Sequence, residues 1–268
     1  MPELPDVEYY RIYLNATALH KTIERVEVRA PRILEEVTER RLRSALAGRA
    51  FASTSRHGKY LFAAIDGDAD ESPWLVMHFG MTGRVKYFED AGQDPEHDRL
   101  LIGFENGYFL AFVNQRKFGH VALATSPEAF AKEKGLGPDA LSVGREEFVA
   151  RLGERRGSAK ATLMNQKVLA GIGNIYADEI LFQAGVHPKT PVRALDEDTR
   201  GKVHSVMGDV LHTAIAVMRR HDDFPDSYLI PHRHEGGVCP LDGTPLETVK
   251  ISGRRAYFCP EHQSYGRT

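Results

Sequence analysis

The chain has 268 residues, 42% of them hydrophobic, which is too long for one small core and sufficient for two domains of ordinary size. No run of about 18 apolar residues occurs, which excludes a helical membrane span. The 35 basic and 37 acidic residues leave a net charge of −2, so a uniformly basic, histone-like binder is excluded, and a nucleic-acid partner would need positive charge gathered on one face.

The opening Met1-Pro2-Glu3-Leu4-Pro5-Asp6 lacks the basic and apolar regions of a signal peptide, which predicts a cytoplasmic protein. Residues 6 to about 19 read as a helix, with Val7, Tyr10 and Leu14 on one face. Short β-branched or aromatic runs at 60–65, 74–79, 100–104 and 108–113 predict strands. Asn106-Gly107, between the last two, signals a tight hairpin because both residues tolerate positive φ. Strands with no helical pattern between them suggest an antiparallel sandwich or barrel.

After about residue 125 the pattern turns helical, with short helices predicted at 146–152, 159–169 and 175–184. Val203, Val206, Met207, Val210, Leu211, Ile215 and Met218 trace one face of a longer amphipathic helix. Residues 220–237 are polar, contain Pro225 and Pro231, and read as a linker or mobile loop. The tail, 238–263, is bracketed by the only two cysteines, Cys239 and Cys259. In a reducing compartment a local metal site is the better expectation for them than a disulfide. The predicted layout is α+β: a β-sandwich over 1–125 with flanking helices, a linker over 126–146, a helical domain over 147–237 and an appended hairpin module over 238–268.

The terminus carries the first chemistry. Methionine removal is favoured before a small second residue, which would leave Pro2 with a free secondary amine. An α-amine has a pKa near 8, so a useful fraction is unprotonated at neutral pH and can attack an electrophilic carbon to form an iminium. Glu3 beside it could move protons.

Pro2-Glu3-Leu4-Pro5-Asp6-Val7-Glu8 resembles the opening of the formamidopyrimidine-DNA glycosylase and endonuclease VIII family, which usually has Glu where this chain has Asp6. The resemblance implies that the Pro2 amine attacks C1′ of a damaged nucleotide while Glu3 protonates the sugar and assists elimination, with Asp6 a further proton-handling candidate. Four more segments match in family order. His57-Gly58-Lys59-Tyr60-Leu61 is similar to the segment whose lysine supports phosphate and catalysis. Met77 to Gly83 resembles the loop whose methionine, here Met81, enters the duplex, and Gln115 to Gly119 the segment whose arginine and phenylalanine, Arg116 and Phe118, complete that wedge. Chemistry at C1′ requires nucleotide extrusion, and apolar wedges can fill the hole it leaves while Arg116 bonds the orphaned base. Ala170 to Glu179 resembles the helix–two-turn–helix element, in which Asn174 and free N–H groups at a helix start would meet a phosphate, as would Lys160. Five basic residues and one acid, Glu154, lie between 151 and 167, a local positive surface that the overall charge conceals.

The tail departs from the family. Relatives end in a zinc ribbon with two Cys-x-x-Cys pairs sixteen residues apart, whereas here the frame reads Cys239-Pro-Leu-Asp242, then Cys259-Pro-Glu-His262. Cys239, Asp242, Cys259 and His262 can make a tetrahedral zinc site, His232 or His234 could replace Asp242, and folding without metal stays open. Arg254 falls where relatives place a phosphate-gripping arginine at the hairpin tip. The segment 221–238 is short and lacks the glycine- and serine-rich run of relatives that recognise 8-oxoguanine, which favours formamidopyrimidine, hydantoin or oxidised-pyrimidine lesions. The resemblance thus implies a monomeric glycosylase and lyase, located at the bacterial nucleoid and acting on double-stranded DNA with damaged bases or abasic sites. Two other readings stay open at this point: a non-catalytic lesion-binding protein on the same scaffold, and a tautomerase using Pro2 as base, which leaves every segment after residue 8 unused.

Overall fold

The computed structural model describes residues 1–67, 73–220 and 223–263. Among them no helix is long and apolar enough to cross a membrane. The chain divides into two compact units, one of residues 1–2 and 6–135, the other of residues 3–5 and 136 onward.

The first unit holds most of α1 (Leu4–Thr17), then β1 (Ile23–Val28), α2 (Glu39–Leu46), β2 (Phe51–His57), β3 (Tyr60–Ile65), β4 (Trp74–His78), β5 (Arg84–Phe88), β6 (Asp98–Phe104), β7 (Phe109–Val113), β8 (His120–Ala124) and α3 (Pro127–Glu133). The strands form two antiparallel four-stranded sheets, ordered β1-β6-β7-β5 and β2-β3-β4-β8. Inward residues of both sheets, among them Leu61, Leu75 and Met77 from one and Ile102, Phe104 and Phe112 from the other, share one buried cluster with Val7 and Leu14 of α1. That shared core makes the unit a sandwich. Tyr10 rests on Phe79 with ring centroids 4.7 Å apart, and burial, helped by Asp6, pushes its hydroxyl up to about 12. Both helices after α1 begin on hydroxyl caps, Thr38 accepting from Arg41 N (3.2 Å) and Ser126 from Ala129 N (3.1 Å).

Phe104 N and Gly107 N close the turn between β6 and β7, with Gly107 at φ +85°, where asparagine followed by glycine predicts a hairpin. Strands β1, β2, β5 and β8 go beyond the sequence expectation. Strand β2 reads Phe-Ala-Ser-Thr-Ser-Arg-His and is polar because only Phe51 is fully buried.

The second unit contains α4 (Arg145–Gly153), α5 (Ala159–Leu163), α6 (Asn174–Ala184), α7 (Glu197–Arg220) and the hairpin β9 (Glu247–Ile251) and β10 (Arg254–Phe258). Phe148, Ile172, Ile180, Leu181, Met207 and Leu211 centre its core. Helix α5 is much shorter than the predicted 159–169. After Met164 the Gln166 side chain donates to Met164 O and Ile172 O and accepts from Gly171 N, while Asn165 Oδ1 accepts from Lys167 N. Side chains that bond backbone in this way replace helical bonds by a turn.

The stretch predicted as a linker, 220–237, opens with Arg220, the last residue of α7, and continues with His221 and Asp222, which lie outside the described residues. From 223 on it is fastened: Leu229 is fully buried, and Glu179 accepts from Leu229 N (3.1 Å) and Ile230 N (2.8 Å).

Candidate active site and DNA interface

The second residue of the chain is half-buried, and the third is almost completely enclosed, Glu3 being 1% exposed. The Glu3 carboxylate accepts from the backbone N–H groups of Gly173 (2.8 Å), Ile175 (2.9 Å) and Tyr176 (3.3 Å). These are the unsatisfied donors at the start of α6, whose N-cap position, Gly173, has no side chain to serve them. The cap therefore arrives from the far end of the sequence. A Cβ at Gly173 would overlap the Glu3 carboxylate, and one at Gly171, at φ +118°, would overlap Leu4. Leu4 N also donates to Gly171 O at 3.1 Å. The Gly-Ile-Gly turn is thus built to receive residues 3 and 4.

Asp6 is half-buried in the first turn of α1, where a carboxylate complements the positive end of the helix dipole. Next along that helix Glu8 pairs with Arg11 (2.6 Å) and Arg56 (3.1 Å), and Arg56 also donates to Gly58 O (3.2 Å). That holds the turn between β2 and β3 that leads into Lys59, which is 7% exposed.

The three wedge candidates sit on two loops that lie directly against each other. Phe118 is 52% exposed, with the Arg116 guanidinium 5.1 Å from its ring centre, and Met81 is half-buried. Between Arg116 and Phe118, Lys117 takes φ +53°, an uncommon conformation for a side-chain-bearing residue.

In the helical unit the structure separates residues that looked equivalent in the sequence. Asn174 opens α6, and its side-chain Oδ1 is buried without a hydrogen-bond partner among the described residues. Arg254 is exposed directly after a two-residue turn, Ser252 and Gly253, both at positive φ. Lys160, expected on the phosphate-facing surface, is instead fully enclosed. Its ammonium donates to Asp178 Oδ1 at 2.6 Å and to Arg255 O at 3.3 Å. Asp178 Oδ2 meanwhile takes Arg233 (2.7 Å) and Tyr257 N (3.2 Å). Burial pushes the Lys160 ammonium down from its ordinary value against the opposing pull of Asp178. Eighteen residues separate the lysine from its carboxylate, and no local spacing announces the pair.

Among the described residues one group could hold a metal: Cys239, Asp242 and Cys259, whose ligand atoms lie within 4.8 Å of one another. Cys259 Sγ is 3.6 Å from Asp242 Oδ2, and both sulfurs are buried. Burial pushes the Cys239 thiol up to about 11, whereas the N–H and hydroxyl of Thr244 hold Asp242 down at about 2. Two thiols and a carboxylate suit zinc chemically. His262 is not in this group; its Nε2 lies 2.8 Å from Phe182 O, so the tail offers three clustered ligands where four are expected.

A sandwich carrying an exposed Phe-Arg pair, joined in sequence to a helix start capped by Glu3 and a hairpin tipped with arginine, defines a DNA-processing protein of the helix–two-turn–helix class. The family model for the formamidopyrimidine-DNA glycosylase N-terminal domain matches residues 1–121, and that for the H2TH domain of the same enzymes matches 135–223. The formamidopyrimidine-DNA glycosylase of Geobacter metallireducens is 33% identical over 98% of this chain and 100% of its own length, and that of Desulfitobacterium hafniense (strain Y51) is 32% identical over 97% and 98%. Among solved structures, the wild-type Lactococcus lactis enzyme in complex with DNA containing N7-benzyl-Fapy-dG is 27% identical, covers 98% of this chain and 100% of its own, and superimposes with a TM-score of 0.87. MutM in complex with DNA containing carbocyclic 8-oxo-G gives 26%, the same coverage and 0.88. The chain belongs to the formamidopyrimidine-DNA glycosylase family, DNA glycosylases of base excision repair with AP lyase activity.

Proposed function

We propose that this protein excises oxidised bases from double-stranded DNA and cleaves the resulting abasic site through a covalent intermediate on Pro2. The observation that carries this reading is the anchoring of the chain start. Glu3 and Leu4 are bonded to the turn before α6, so the residue preceding them is a fixed point and not a frayed end.

With Met1 removed, the Pro2 nitrogen attacks C1′, and the glycosidic bond breaks as the base leaves with its electron pair and takes a proton. The amine proton is lost, the ring oxygen O4′ takes a proton and leaves C1′ with its bonding pair, and the iminium so formed acidifies the C2′ protons. Loss of one expels the 3′ phosphate, a second elimination expels the 5′ phosphate, and water hydrolyses the imine to restore the amine. Glu3, and in a lesser role Asp6, move protons at the sugar, with Lys59 as phosphate and proton support. Met81, Arg116 and Phe118 fill the space left by the extruded nucleotide. Asn174 and Arg254 hold phosphates; the orphaned Asn174 side-chain oxygen supports this, since its amide ends are interchangeable in assignment and a phosphate would accept from the NH2 end. The expected substrates are formamidopyrimidine, hydantoin and oxidised-pyrimidine lesions, the short sequence from 221 to 238 being the ground for setting 8-oxoguanine apart. Cys239, Asp242 and Cys259 would hold a structural zinc ion at the base of the hairpin, where it would brace the fold and take no part in the reaction.

Borohydride trapping on an abasic duplex tests the mechanism: the wild type forms an adduct whose DNA-linked peptide starts at Pro2, and protein acetylated at that nitrogen forms none. Cleavage of abasic DNA by the acetylated protein at the wild-type rate would remove the Pro2 amine from the reaction. Excision measured on a panel of lesion duplexes tests the substrate assignment.

A further inference from the structure

Asn114 is fully buried at the end of β7, and every polar group it carries is used. Its side-chain Nδ2 donates to Phe79 O at 3.0 Å, and its Oδ1 accepts from Phe118 N at 3.1 Å. One amide therefore ties the loop bearing Met81 to the loop bearing Phe118. Its backbone N–H donates to His97 O (2.9 Å), and its carbonyl accepts from Lys117 N (3.3 Å) and Arg99 Nε (3.0 Å), so the clamp is rooted in the sheet on the far side.

Three glycines make room for it. A Cβ at Gly119 would overlap Asn114 Nδ2, one at Gly83 would meet the same nitrogen at 2.8 Å, and one at Gly80, at φ +60°, would overlap the backbone of Phe118 and Gly119. The two loops thus touch backbone to backbone, which only glycine allows. Gly80 N adds a bond to His78 Nδ1 (3.3 Å), and Gly83 N closes the first loop onto Phe79 O (2.8 Å). The Phe118 ring itself stays half in solvent, supported by its backbone and by Arg116.

We infer that Asn114 is a positioning residue that locks the two loops into one rigid body, so that Met81, Arg116 and Phe118 enter the DNA stack together. The inference rests on the wedge reading above. An exposed aromatic side chain on a loose loop would lose conformational freedom on insertion, whereas one preset by buried hydrogen bonds loses little. Asn114 touches no substrate; it acts through Phe79 and Phe118. Misplacement of a positioning group by about 1 Å can cost on the order of a hundredfold in rate.

The test compares two substrates with the full-length protein: a duplex with a formamidopyrimidine lesion, and a single-stranded abasic oligonucleotide, which has no partner base and no stack to fill. Asn114→Asp keeps the size but sets an oxygen against Phe79 O, and Gly119→Ala drives a methyl into the Asn114 amide while leaving residue 114 unsubstituted. Thermal unfolding confirms that each variant is folded, and Gly119→Ala stands in if Asn114→Asp is not. For the folded variants, the duplex excision rate falls on the order of tenfold or more while single-strand cleavage falls much less. The fluorescence change of a 2-aminopurine placed beside the lesion, which reports unstacking, slows in parallel. Equal losses on both substrates, or an unchanged 2-aminopurine signal, overturn the positioning role. A wild-type protein that cleaves neither substrate overturns the proposed function instead.

Discussion

Replacing Glu3 by glutamine keeps the shape of the side chain and removes its charge, in a pocket that the wild-type carboxylate fills as an acceptor only. Three backbone N–H groups share its two oxygens, at 2.8, 2.9 and 3.3 Å. A glutamine can turn its carbonyl oxygen toward Ile175 N or toward the pair Gly173 N and Tyr176 N. Its NH2 then faces the remaining donor or donors, and the buried site gives that amide no room to swing away. A lost hydrogen bond to a charged group is worth about 1.5–3 kcal/mol, and the lost charge at the helix N-terminus adds about 0.3–1 kcal/mol. Glu3→Gln should therefore cost about 2–4 kcal/mol, read as a lower urea midpoint with an unchanged slope. Amide exchange at Gly173, Ile175 and Tyr176 should quicken with it. Loss of activity in this variant would then contain a structural share, separable because a catalytic loss alone leaves the exchange rates untouched. A Glu3→Gln protein within about 0.5 kcal/mol of wild type, with normal exchange at those amides, would refute the capping argument.

Three shorter predictions follow from the same structure. Lys160→Met removes a cation from a fully buried pair and should cost about 3 kcal/mol, the lower end for such a loss because Arg233 still faces Asp178. The salt dependence of DNA binding by that variant should match wild type, and a shallower slope would show that Lys160 reaches phosphate after all. Stability should fall on acidification below about pH 6.5, because burial, with His120 and Lys59 adding repulsion, pushes His78 down to about 3, and burial also depresses His120 and His187. A group depressed in the folded state binds protons preferentially when unfolded, so each contributes a slope of about 1.4 kcal/mol per pH unit between its folded value and 6.5; His78→Asn should flatten part of it in urea titrations from pH 7 to 4. Elemental analysis of purified protein should find about one zinc per chain, lost in Cys259→Ala together with some thermal stability. Full metal-free protein of unchanged melting temperature would remove zinc from the account.

What the sequence discloses and what it hides divide along the distance between interacting residues. The Asn106-Gly107 turn, the run 60–65 and the apolar face of α7 are local patterns, and each appears in the structure as an element of the expected kind. Strand β5, Arg-Val-Lys-Tyr-Phe, and strand β8, His-Val-Ala-Leu-Ala, are too short to stand out from their flanks and are fixed by pairing with β7 and β4. Glu3 is legible as an acid beside Pro2, but its bonds reach 170 residues along the chain to Gly173. Lys160 reads as a surface cation until Asp178, in another helix, encloses it. Asn114 carries no motif of its own; the flanking glycines Gly80, Gly83 and Gly119 are the one sequence sign of a close approach, and they become informative only once their neighbours are known.

Helix α6 explains why these remote segments share one unit. Its start binds Glu3, and its middle presents two consecutive buried acids with separate tasks. Asp178 collects Lys160, Arg233 and the Tyr257 N–H of the hairpin, and Glu179 collects the N–H groups of Leu229 and Ile230. Burying two neighbouring carboxylates is costly unless each is satisfied, and here both are, by partners drawn from three other stretches of chain. The hairpin is consequently fastened to α6 by Asp178, apart from the cysteine cluster, while Gln263, whose side-chain oxygen accepts from Cys259 N (3.1 Å), bonds Val186 O (2.9 Å) just beyond the helix. Zinc would then brace the Cys239 and Cys259 turns while Asp178 sets where the Arg254 tip stands. The two roles can be lost independently, so Asp178→Asn should displace the tip and weaken DNA binding with the metal retained. A variant that lost zinc and DNA affinity together would show that a single element, and not two, holds the hairpin.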